Sequence, residues 1–183
     1  MGTADEEYQP FPNEDGRNLR QELLELPAMI QALGLPRGVR VMEVGCGRGI
    51  ALPVLARCLA PTCLVGVDVD ATLLSVAGVA LEIGSVHADL AVADIRALPF
   101  PDASFDLLID FGTCFHVAYP DRALQEIERV LVPGGLFATE TKLSQLMSHP
   151  IRASGRFLPW GAAPSLLPDR HALLWETRRR TSA

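Results

Sequence analysis

Val41-Met42-Glu43-Val44-Gly45-Cys46-Gly47-Arg48-Gly49 is the stretch that decides how this chain folds. Its first four residues close an apolar, β-branched run that begins at Val39, the composition of a strand covered on both faces. Three alternating glycines follow, and residues 50–60 then take helical spacing. A strand passing through a glycine turn straight into a helix leaves a space into which backbone N–H groups point. Without a Cβ in the way, a ligand can come close there. Gly45, Gly47 and Gly49 are therefore candidate binding residues, with Cys46 held between them.

Outward from this loop, two kinds of segment alternate. Apolar runs at 39–44, 64–67, 90–93, 105–110 and 136–140 read as strands, and 50–60, 71–81 and 121–131 read as helices. In the last of these, Ala123, Leu124, Ile127, Val130 and Leu131 share one face. Such alternation predicts an α/β fold: a doubly wound, mostly parallel sheet of six or seven strands with helices on both faces. An earlier helix over 17–33 places Leu19, Leu23, Leu26, Ile30 and Leu33 on one stripe. Pro27 should kink or split it and Gly34 should end it. Near the other end, 142–148 reads as a short helix and 171–179 as an antiparallel edge strand. The glycine- and proline-rich piece between them leaves little room for a further helix and two long strands. The expected organisation is one domain over 1–183. An N-terminal helical or lid segment covers 1–34, a ligand-binding core 35–141, and an acceptor-side and edge-strand region 142–183.

Composition narrows the function. The chain has 183 residues, 49% hydrophobic, and a net charge of −6, which argues against a phosphate-backbone partner such as nucleic acid. The basic run Arg178-Arg179-Arg180 is short enough to be a solvated end. No apolar run is long enough to span a bilayer, and the first residues are acidic, unlike a secretory signal. The expectation is a cytoplasmic protein with no membrane partner. Cys46, Cys58, Cys63 and Cys114 have neither zinc-site nor disulfide-framework spacing, so no metal is expected.

The loop also discriminates between ligands. The dinucleotide fingerprint G-x-G-x-x-G requires glycine where Ile50 stands. Glu43, just before the turn, would repel a diphosphate but would suit the cationic amino group of an amino-acid nucleoside.

VMEVGCGRG resembles the first motif of the class I, Rossmann-like methyltransferases that use S-adenosylmethionine (SAM). The similarity runs in order along residues 35–136 and includes LPFPDASFDLLI and RVLVPGGLF. The resemblance implies SAM as cofactor, S-adenosylhomocysteine as product, and a set of contacts. Asp68, in LVGVDVD, would accept from both ribose hydroxyls, with Val69 beside it. Asp70 suits a helix N-cap better. Asp94 would accept from the adenine amino group and Ile95 would lend its backbone N–H. Asp89 competes with Asp94 if the third strand is misplaced.

Methyl transfer needs alignment in a dry cavity more than it needs a covalent nucleophile. The methyl should lie across the carboxyl ends of the fourth and fifth strands, where DFGTCFHV, residues 110–117, leaves the sheet. His116 is the candidate general base, with a cap or packing role as the alternative. Asp110 and Phe111 are candidate contacts to the cofactor or substrate. Cys114 reads as a small buried residue. An Asn-Pro-Pro-Tyr motif for planar amino groups is absent, so the acceptor is expected to be a small molecule rather than nucleic acid. The alternative is a SAM-binding regulatory or partner subunit without methyl transfer. A lid is expected from the region of Tyr8, Phe11 and Arg17 or from 146–160. Phe157 and Trp160 are candidates to line an acceptor pocket or to pack at the sheet edge or a dimer contact, and a homodimer is left open.

Overall fold

A computed structural model describes residues 14–148 and 157–182. Seven strands form one sheet in the order β3-β2-β1-β4-β5-β7-β6. Five adjacent strands, with β3 at one edge, are parallel: β1 (Arg40–Val44), β2 (Cys63–Asp68), β3 (Asp89–Val92), β4 (Phe105–Asp110) and β5 (Leu131–Glu140). A hairpin, β6 (Leu166–His171) and β7 (Trp175–Arg180), adds antiparallel strands at one edge. Strand order reverses between β1 and β4, which opens a crevice at the carboxyl ends of those two strands.

The two faces of the sheet are covered differently. Met42, Val44, Leu108 and Phe137 pack under helix α6 (Pro120–Val130) through Ala123, Leu124, Ile127 and Val130. Val41, Leu107, Ile109 and Ala138 point the other way, onto α2 (Leu26–Leu33) and α3 (Leu52–Leu59). Alternate residues of each strand therefore enter alternate cores, as parallel strands covered on both sides require. Helix α4 (Ala71–Ile83) starts at Asp70, whose side chain accepts from the N–H groups of Thr72 and Leu73 at 2.7 and 3.3 Å. Asp70 is thus the cap and Asp68 is left for another task, as the residue types suggested.

Two differences from the sequence reading have physical causes. The first helix is α1 (Glu14–Arg20), then a π-helical segment Gln21–Glu25, then α2. Pro27, in the first turn of α2, would crowd the carbonyl four residues back in a regular helix, and the wider turn just before it relieves that clash. The extra residue turns the helix by about 100°. Leu26, Met29 and Leu33 stay buried, whereas Leu19 and Leu23 emerge on the outside instead of joining the expected stripe. Secondly, β6 was hidden by Pro168, which an edge strand tolerates beside the register shift at 168–170. Asp89 opens β3 at the end remote from the crevice and Asp94 lies just beyond its carboxyl end, in line with the preference for Asp94 in the sequence.

Replacing Asp70 with Ala removes both cap bonds and should cost about 1 kcal/mol of unfolding free energy. Urea unfolding of Asp70→Ala checks this, and an unchanged midpoint would show that the cap contributes nothing.

Candidate active site

The loop after β1 is shaped by its glycines, which divide two tasks. A Cβ on Gly45 would overlap the Thr113 hydroxyl, and one on Gly49 would stand 2.9 Å from the Ala77 Cβ on α4. Both positions serve close packing. A Cβ on Gly47 would meet nothing within 4 Å, and the backbone there is left-handed at φ +52°. Gly47 is the glycine that faces open space. Cys46 is buried beneath the loop, its N–H bonded to Val67 O at 3.0 Å, and burial pushes its thiol well above the ordinary range.

Asp68 closes β2 beside this loop. Its Oδ2 accepts from Gly47 N–H at 2.8 Å and its Oδ1 from Asp70 N–H at 2.9 Å. Each oxygen keeps a further acceptor position. Val69, next along, is exposed. Asp94 accepts from the Arg96 backbone N–H and guanidinium at 2.7–3.1 Å, which holds its carboxyl below the usual range. Ile95 is buried in the α6-side core.

Four carboxylates stand at the carboxyl ends of four consecutive strands in the sheet: Asp68 (β2), Glu43 (β1), Asp110 (β4) and Glu140 (β5). Glu43 is 3% exposed, and its Oε2 has no hydrogen-bond partner among the described residues. Burial pushes it to about 8, helped by repulsion from Asp68 and Asp110. Asp110 is raised by burial to about 6, against the pull of bonds from Cys114, Thr113 and Thr139. Its Oδ1 accepts from Thr113 N–H at 2.7 Å and its Oδ2 from Thr139 Oγ1 at 3.2 Å. The bonds seen for Asp110 fix the turn into α5 (Thr113–His116). Phe111 is half-buried on the α2–α3 side. His116 is half-buried and ends α5.

Glu140 was not singled out from the sequence. It ends a strand that reads as core, and only the partners brought to it by folding mark it. Ser144 Oγ donates to its Oε1 at 2.7 Å and the Gln145 side chain donates to its Oε2, both from α7 (Lys142–Ser148). Glu140 Oε2 and the Gln145 amide lie so close to Gly112 that a Cβ there would clash with them. Burial raises Glu140 to about 7, with Arg17 and Glu25 of the N-terminal helix also acting on its charge. Among the regions expected to line an acceptor pocket, Trp160 packs on Phe137, centroids 6.3 Å apart, and under Arg178, at the sheet edge. Phe157 is exposed with Lys142 over its ring. Tyr8, Phe11 and residues 149–156 of the expected lid lie outside the described residues.

The methyltransferase-domain family model matches residues 42–139, from β1 to the end of β5. This chain belongs to the class I SAM-dependent methyltransferase family. Within this family, a fatty-acid O-methyltransferase of Mycolicibacterium smegmatis is 30% identical over 127 residues, covering 69% of this chain and 46% of that protein. The crystallised [4+2]-cyclase SpnF is 32% identical, with TM-score 0.58, over 63% of this chain and 43% of its own. The PH0226 protein of Pyrococcus horikoshii OT3, at 19% identity and TM-score 0.70 over 99% of this chain and 100% of its own, shares the fold. The chain spans less than half the length of the curated relatives it matches first.

The buried carboxylates have a consequence for stability. Glu43, Asp110 and Glu140 hold their protons more tightly folded than unfolded, where carboxyls titrate near 4. From about pH 4.5 to about pH 8 the native state keeps protons that the unfolded chain has released, so stability falls as pH rises through that window. Urea unfolding of the ligand-free protein should give a lower midpoint at about pH 8 than at about pH 5.5, and Glu43→Gln should shrink the drop. A midpoint that climbs over this range would contradict the burial of these charges.

Proposed function

We propose that the protein transfers the methyl group of SAM to a small organic acceptor with an apolar body. The observation that carries this reading is Glu43: a buried carboxylate with an orphaned oxygen, flanked by two more carboxylates, matches a cationic ligand and opposes a diphosphate. The residues fit the cofactor in other respects. Gly47 faces open space beside Asp68, whose remaining acceptor positions suit a vicinal diol. Exposed Val69 offers an apolar surface for an adenine ring. Asp94 and the Ile95 backbone would take its polar edge.

When bound, SAM supplies a methyl group activated by a positively charged sulfur. The chain's own residues then have to orient the acceptor and dispose of its proton. His116 is the proposed base, since it ends the short helix that leaves β4 on the acceptor side. Asp110 holds that helix in place through its first N–H groups. Glu140, packed on Gly112 beside the same turn, forms a polar wall one strand further on. The similarity to a fatty-acid O-methyltransferase supports an acceptor carrying an apolar chain.

A second reading keeps the cofactor and drops the methyl transfer: a SAM-binding domain with a regulatory or other chemical role. The similarity to a [4+2]-cyclase, at 32% identity, favours it as the alternative.

SAM and S-adenosylhomocysteine should raise the melting temperature, and NAD should not. Asp68→Ala should weaken S-adenosylhomocysteine binding by about tenfold or more through two lost acceptors. A shift with NAD alone would refute the cofactor assignment. With labelled SAM and a panel of fatty acids, phenols and amines, His116→Asn should lower turnover while leaving cofactor affinity within about twofold. Binding of SAM with no product on any acceptor would favour the second reading.

A further inference from the structure

The two aspartates proposed to meet the nucleoside, Asp68 and Asp94, are in opposite states. Each oxygen of Asp68 takes one backbone N–H and keeps a position for another donor. Asp94 is filled. Its Oδ1 accepts from the Arg96 backbone N–H at 2.8 Å and from Arg96 Nε at 2.9 Å. Its Oδ2 accepts from Arg96 Nη2 at 2.7 Å and again from Nε at 3.1 Å. A carboxylate offers about four acceptor directions on its two oxygens, and Arg96 occupies that number. All but the backbone contact come from the guanidinium. An adenine amino group that reaches Asp94 therefore meets a donor already seated there.

The backbone around this carboxylate is held. Ile95 is buried in the α6-side core, and Ala97 N–H bonds to Asp94 O at 2.9 Å. The guanidinium is the part that can yield. The Arg96 side chain is 29% exposed and that of Asp94 36%, so water screens the ion pair and keeps it weak enough to open. Arg96 also has a second anchor: its Nη1 donates to Ala118 O at 3.0 Å, in the loop between α5 and α6. That bond uses a nitrogen that Asp94 does not, so the guanidinium can leave the carboxylate and still be held. We propose that Arg96 is a latch on the adenine subsite: it competes with the cofactor's amino group for Asp94 and shifts toward Ala118 when SAM or S-adenosylhomocysteine binds. This rests on the SAM reading given above and makes Arg96 a determinant of cofactor affinity.

A latch of this kind leaves a particular signature. A ligand that needs the open state has its affinity reduced to the fraction of molecules in which the latch is open. A purine with hydrogen in place of the amino group makes no claim on Asp94 and leaves the latch closed. Removing the guanidinium should therefore help the first ligand and not the second. A residue that merely positioned Asp94 for adenine would give the reverse, because its loss would weaken the first ligand.

The test is calorimetry on the full chain with two ligands, S-adenosylhomocysteine and its analogue carrying hydrogen in place of the 6-amino group. Arg96→Met keeps an apolar stem and removes the donors. S-adenosylhomocysteine should bind it about fivefold more tightly than the wild type, and the analogue should stay within about twofold. Arg96→Lys should fall between, since one compact ammonium cannot span both carboxylate oxygens. Loss of fold in Arg96→Met would weaken both ligands together and lower the urea midpoint, and Arg96→Lys then decides by the same comparison. S-adenosylhomocysteine that binds no tighter to a folded variant overturns the latch. So does a gain shared equally by the analogue, which would mean that the side chain only obstructs the crevice. A wild type that binds neither ligand removes the cofactor reading and the latch together; one that binds S-adenosylhomocysteine without the predicted difference between variants removes the latch alone.

Discussion

A carboxylate removed from water must be protonated or matched by a cation, because the charged form loses far more solvation than burial returns. Glu43 is such a group. It sits one residue from the end of β1, buried, with one oxygen lacking any partner among the described residues and with Asp68 and Asp110 as like-charged neighbours. Nothing about the sheet itself requires an acid there, since the residues around it in β1 are apolar and well packed. The cost is understandable as preparation for a positively charged ligand, and the surrounding structure is arranged to keep that place open. Gly47 leaves space in front of Asp68, while Gly45 and Gly49 draw α5 and α4 in close behind the loop.

The rest of the site follows from the order of the strands. Reversal between β1 and β4 sets the crevice, and the carboxyl ends of β2, β1, β4 and β5 each bring an acid to it. Those acids are handled in different ways. Asp68 is held by backbone N–H groups, Asp110 accepts from the first N–H groups of α5, and Glu140 is tied by α7. Only Glu43 is left with an unmatched oxygen. Under the proposed function, this graded treatment separates a cofactor side, under the glycine loop, from an acceptor side beside α5 and α7.

Much of this was legible in the residues and some was not. The glycine loop, the parallel strands and the cap at Asp70 follow from local patterns, because turn chemistry and capping act over a few residues. Glu140 could not be found that way. Its bonds to Ser144 and Gln145, four and five residues along, depend on how the chain turns from β5 into α7, and only the tertiary fold brings Arg17 to it. The N-terminal helix was misjudged for a related reason. Its leucines have helical spacing, but the π-helical segment before Pro27 rotates the face, and periodicity assumes a constant turn angle. Strand β6 was missed because proline ordinarily argues against a strand, and only its place at the sheet edge permits it.

The measurement that bears most directly on Glu43 is the pH dependence of S-adenosylhomocysteine binding, followed by calorimetry in buffers of different ionisation enthalpy. A ligand ammonium prefers the charged carboxylate, so binding should lower the pKa of Glu43 from about 8 and release a proton. Affinity should rise from about pH 6 to about pH 8, and Glu43→Gln should bind more weakly with that dependence removed. An affinity that is flat or falls across this range in the wild type, or a Glu43→Gln variant that binds as tightly with the same profile, would contradict the role given to this buried charge.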